Sequence, residues 1–82
     1  MITARQSRAA RALLGWTQET LADKAQVALT ALKRLESEND LKVYESTLDQ
    51  VRRTLEANGI VFIASAQGEG VMLVHARRDS SG

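Results

Sequence analysis

The apolar positions change their period along the chain. Residues 4–14 read ARQSRAARALL, dense in Ala, Leu and Arg, all strong helix formers. Thr3 followed by Gln6 has the spacing of a capping box, in which the hydroxyl accepts an N–H and the amide reaches back. Gly15 supplies a residue that tolerates a left-handed helix end. These signals predict a helix over about residues 4–14. Leu48, Val51 and Leu55 recur at helical spacing before the Asn58-Gly59 stop. With Ser46 as cap and Asp49 three residues on, they predict a helix over about residues 47–57. Beyond Gly59 the helical period ends. Ile60-Val61-Phe62-Ile63 and Val71-Met72-Leu73-Val74 are continuous apolar runs, and they read as two strands joined by a loop through ASAQGEG. A lone two-stranded ribbon is marginal in water. These eight apolar residues are therefore expected to meet the same ribbon of a second subunit, the alternative being a hairpin packed only on its own helices.

The middle of the chain is ambiguous. Thr17 is a candidate N-cap, and Trp16, the only tryptophan, reads as a core residue sealing a helix pair. The stretch DKAQVALTAL at 23–32 contains no Gly, Pro, Ser or Asn. At about 100° per residue, Leu21, Ala25, Leu29, Leu32 and Leu35 cluster on one side of a single helix. Val27 alone falls opposite. Propensity slightly favours one helix through residues 17–36, and the misplaced valine is the argument for a turn. Residues 37–46 read as a polar loop, and 77–82 as a disordered tail.

Composition narrows the function classes. Eighty-two residues make one small domain, burying roughly 60% of the surface its unfolded chain exposes. Small scaffolds need disulfides, a metal or a partner subunit. With no cysteine and one histidine, the partner subunit is the remaining expectation. A metal, a cofactor or an enzyme is not expected. His75 reads as structural, and GEG as a turn, because a phosphate-binding glycine loop needs a helix directly behind it. No small-molecule pocket can be argued from the residues. The N-terminal MITARQSRAARALLG lacks an apolar signal-peptide core, and no run approaches the roughly 20 residues of a membrane span. A cytoplasmic protein is expected.

Charge is unevenly divided. Residues 1–34 carry six basic side chains (Arg5, Arg8, Arg11, Lys24, Lys33, Arg34) against two acidic ones, whereas residues 35–56 carry three against six. A nucleic acid would meet the first half. Arg5, Arg8 and Arg11 recur at three-residue spacing and share a helix face, either solvated or turned towards phosphates.

The stretch ARALLGWTQETLADKAQVALTALKRLE resembles the helix-turn-helix core of Cro/cI-type (XRE-type, lambda-repressor-like) transcriptional regulators. Gln18, Ala22, Ala25, Val27, Leu32, Leu35 and Glu36 fit that family's pattern in order, over about a third of the chain. Gln26 stands where a glycine is usual in the turn, and Ala28 where a Ser or Thr usually caps the second helix. The resemblance implies a mostly α fold, a bundle of four to five helices over residues 1–57 with its motif at about 17–37. The hairpin at 58–76 follows in the same domain. It further implies a sequence-specific regulator, a repressor binding double-stranded DNA as a homodimer on a palindromic operator. The recognition helix would run from about Leu29 to Ser37, with Ala28, Leu29, Thr30, Lys33 and Arg34 meeting base edges. Thr17, Gln18 and Ser37, with Arg5, Arg8 and Arg11, would serve the phosphates. Leu29, apolar at an outward position, also suits a helix that docks onto protein. The alternative is accordingly a helix-turn-helix-like interaction module of the antiactivator or antitoxin kind.

Overall fold

The structure is a computed structural model that describes residues 2–37 and 43–75. Half of the loop expected over 37–46, residues 38–42, falls outside these residues, and the tail at 77–82 falls wholly outside them. Four helices precede one antiparallel hairpin: α1 (Ala4–Leu14), α2 (Gln18–Ala25), α3 (Leu29–Glu36), α4 (Glu45–Ala57), β1 (Ile60–Ser65) and β2 (Gly68–Leu73). The expected mostly α architecture is the one found.

Local chemistry explains most of the boundaries. The Thr3 hydroxyl accepts from the Gln6 N–H at 3.1 Å, and Gln6 Oε1 accepts from the Thr3 N–H at 3.0 Å, closing the capping box. Gly15 ends α1 at φ 72°, its N–H donating to Ala12 and that of Trp16 to Arg11. Thr17 caps α2 by accepting from the Thr20 N–H at 3.0 Å. The start of α4 is a correction. It lies at Glu45 rather than 47, with Tyr44 in extended conformation at the cap and no side-chain cap bond. Asp49 takes no part in a capping box, because its carboxylate pairs with Arg52 at 2.7 Å and Arg53 at 2.8 Å.

Residues 17–36 form two helices. Gln26 adopts the left-handed conformation, φ 58°, and is the only non-glycine among the described residues with positive φ. Its N–H donates to Asp23, and the Val27 N–H donates back to Ala22 at 3.0 Å. That pair of bonds is the Schellman closure of a helix end, made here without glycine. Ala28 precedes α3 with no side-chain cap bond. Val27 is half-buried against the core, beside buried Leu21, Ala22, Ala25, Leu32 and Leu35. Burial of the large members contributes roughly 1.5–3 kcal/mol each, against about 1–2 kcal/mol for a left-handed non-glycine residue. Packing therefore holds a turn that propensity disfavours. Gln26→Gly is expected to stabilise the domain by about 1 kcal/mol, read as a raised urea midpoint with unchanged slope. An unchanged or lower midpoint would refute strain at this turn.

The hairpin also differs from expectation. Its strands extend to Ser65 and Gly68, leaving only Ala66 and Gln67 as the turn. Register pairs Ile60 with Leu73, Val61 with Met72 and Phe62 with Val71. Alternation then splits the apolar set in two. Ile60 is buried in the core, and Phe62, Val71 and Leu73 pack against it. Val61, Ile63, Met72 and Val74 face away and are exposed. The expectation that all eight serve an interface between subunits is thus corrected. Half of them complete the subunit's own core.

One side chain locks the ribbon to the helices. Gln6, 4% exposed, donates from Nε2 to the carbonyls of Ile63 at 3.0 Å and Gly70 at 2.9 Å, one on each strand. Near the turn, Glu69 accepts from the Thr3 hydroxyl and pairs with Arg5 at 2.8 Å. Gly59 permits the entry into β1: it sits at φ 96°, and a Cβ there would lie 2.9 Å from the Val74 carbonyl oxygen.

Candidate nucleic-acid interface

Helix α3 presents two chemically distinct faces. Leu32, Leu35 and Glu36 are buried. Thr30, Lys33 and Arg34, three and four residues apart, are exposed together, with Ala28 exposed just ahead of the helix. The side chains of Lys33 and Arg34 make no ion pair among the described residues. Ser37, which ends the helix, is half-buried. Leu29 is not part of the outward face: it is half-buried and packs against the core, which corrects its expected outward position.

A shallow groove of about 120 Å³ adjoins this face, lined by Thr30, Ala31, Arg34, Val43, Tyr44 and Thr47. Tyr44, 69% exposed, stands at its rim. The sequence offered a signal here, a lone tyrosine in a polar segment, but nothing in the pattern placed it beside α3.

The arginines of α1 behave differently from the expected phosphate-facing row. Arg11 pairs with Glu36 at 2.8 Å through Nη2, donates to it from Nε at 2.9 and 3.1 Å, and reaches the Trp16 carbonyl at 3.2 Å. Its side chain is 19% exposed. Arg8 donates to the Glu36 carbonyl, and Arg5 is engaged with Glu69. Gln18, also expected at phosphate, donates from Nε2 to Glu36 Oε1 at 3.0 Å. Thr17 remains exposed at the α2 N-terminus.

Glu36 is the centre of this arrangement. Its side chain is 1% exposed and accepts from Ser7 at 2.7 Å as well as from Arg11 and Gln18. Burial alone would push its carboxyl up. The hydrogen bonds from Arg11, Ser7 and Gln18, with the Arg11 charge, outweigh that and hold it below the ordinary carboxylate value. Three helices are tied by one carboxylate, which fixes the orientation of α3 against α1 and α2. Because the folded value is lowered, the stabilisation is present above the unfolded pKa and is lost as pH falls through the folded one. Urea titrations should show stability declining below about pH 4, with a shallower decline in Glu36→Gln. Identical pH slopes in the two proteins would remove Glu36 as the source.

Among the described residues, no cluster of His and acidic side chains could hold a metal ion. No helix there is long and apolar enough to cross a membrane. Comparison with known protein families and with curated proteins returns no match for this chain.

Proposed function

We propose that the protein is a sequence-specific DNA-binding regulator of the Cro/cI (XRE-type) kind that reads the major groove with α3. The observation that carries this reading is the exposed Thr30, Lys33 and Arg34 face, held rigidly behind a three-residue turn by the Glu36 network. A helix of this kind enters the major groove with its exposed face towards base edges. Thr30 can bond a base, and Lys33 or Arg34 can pair with guanine O6 and N7 or hold phosphate. The outward N–H groups at the start of α2, beside Thr17, suit a phosphate. Arg11 and Gln18 serve this function indirectly by positioning α3, not as phosphate ligands.

Two copies would occupy paired half-sites about 34 Å apart, in the manner of a repressor. The alternative reading, a protein-docking module, rests on an outward Leu29; that side chain is half-buried against the core, so the DNA reading is the one we favour.

Selection of bound fragments from the source genome, followed by titration against salt, tests the proposal. Specific binding should weaken steeply as salt rises, with a log–log slope of about −0.9 for each phosphate neutralised. Failure to enrich any sequence, or a salt-independent interaction, would overturn it.

A further inference from the structure

Asn58-Gly59, the stop between α4 and β1, does more than end a helix. The fold demands glycine at 59, where φ is 96° and a Cβ would lie 2.9 Å from the Val74 carbonyl oxygen. It makes no such demand at 58, because the φ −105° of Asn58 is open to any side chain. An asparagine before glycine carries a chemistry of its own. The backbone nitrogen that follows can attack the side-chain amide, and glycine has no Cβ to hinder the approach.

The folded structure keeps the participants of that reaction apart. At ψ 19° the Gly59 nitrogen nearly eclipses the nitrogen of Asn58 itself, whereas ring closure needs it turned towards Cβ. The Gly59 N–H donates to the Glu56 carbonyl at 3.1 Å, which retains the proton the nucleophile must lose. Asn58 Nδ2 donates to the Thr54 carbonyl at 2.8 Å, which draws the side-chain amide back along α4. Turning ψ of Asn58 to the reactive geometry swings the chain beyond it, and that chain is β1. The Gly59 carbonyl accepts from the Val74 N–H at 2.8 Å, and Ile60 is 2% exposed in the core. Fraying of the last helical turn is therefore not enough; β1 must come away.

We propose that Asn58-Gly59 is a self-modification site, closed in the folded protein and opened by detachment of the hairpin, whose reaction makes that detachment permanent. Water is the only co-reactant. Once base has taken the Gly59 proton, the nitrogen bonds to Asn58 Cγ, the Cγ–Nδ2 bond breaks, and Nδ2 leaves as ammonia with a proton returned by solvent. Water then opens the cyclic imide at either carbonyl. One product is aspartate; the other is isoaspartate, whose main chain runs through Cβ and Cγ. That extra backbone carbon falls where Gly59 has no slack against Val74. The new carboxylate also stands at the negative end of α4, close to Glu56. Reclosing is far faster than this chemistry, so the rate follows the population of the open form. None of this depends on what α3 binds.

Folded protein and protein unfolded in urea, both held in mildly alkaline buffer, are sampled for isoaspartate by peptide mapping. Modification at Asn58 should be at least tenfold slower in the folded protein, because opening limits it. Gln6→Ala removes the bonds to both strands and should react about fivefold faster than the unmodified protein. Where circular dichroism shows that variant unfolded, Glu69→Ala, which frees the hairpin from Arg5 and Thr3, takes its place and should also react faster. No isoaspartate from the unfolded chain, equal rates in folded and unfolded protein, or an unchanged rate in the folded variant would overturn the gating. The purified isoaspartyl protein should unfold at lower urea than Asn58→Asp, which carries the same charge on an unaltered main chain. Coincident midpoints would overturn the permanence.

Discussion

Arg11→Ala should cost about 3–5 kcal/mol of folding stability. The change leaves the Glu36 carboxylate buried without its cation, and breaking a buried pair from one side typically has that consequence. Ser7 and Gln18 would still donate to it, but neither supplies charge. Since small domains are stable by only about 5–15 kcal/mol, much of the population should unfold in mild urea. Circular dichroism with urea at neutral pH reads the result. The double variant Arg11→Met/Glu36→Met removes both charges and should recover part of the loss, because apolar replacement of a whole buried pair is often tolerated. A loss under about 1 kcal/mol in Arg11→Ala would mean the pair behaves as a surface salt bridge.

The second large effect concerns binding. Lys33→Ala/Arg34→Ala removes both exposed cations of α3 and leaves its buried face untouched. A bidentate base contact is worth about 1–3 kcal/mol of discrimination, so affinity for the selected site should fall by a hundredfold or more. Thermal unfolding should remain that of the unmodified protein, because neither side chain supports the fold. Unchanged operator affinity in a folded double variant would dismiss α3 as the reading element.

Features governed by near neighbours were legible from sequence. The Thr3–Gln6 box, the Gly15 helix end and the Thr17 cap each depend on residues within a turn of one another, and each is present in the fold. The Gln26 turn was legible through the misplaced Val27 and the family resemblance rather than through local preference. Its cause is the burial of Leu32, with Val27 packed half-buried beside it. In the ribbon, continuous apolar runs hid the two faces: alternation was always present, but both faces carry aliphatic side chains. Least legible were the polar anchors. Glu36 meets Ser7 and Arg11 across 29 and 25 residues of chain, and Gln6 meets the strands across 57 and 64. A periodic pattern contains no record of such partners, and an arginine row on a helix looks the same whether it faces solvent or a buried carboxylate.

The bond from Gln6 to Gly70 has a consequence for synthesis. Domains fold as units, and the N-terminal parts of a chain are made first. Here Gln6 of the first helix meets its strand carbonyls, and the core receives Ile60, only once residues 60–70 have followed the four helices. Until residue 70 has left the ribosome, the side-chain amide of Gln6 has no strand carbonyls to meet and the apolar faces of the four helices lack their lid. The helical part is made first and completed only by the hairpin, so a chain stalled before residue 70 is left with an unfinished core.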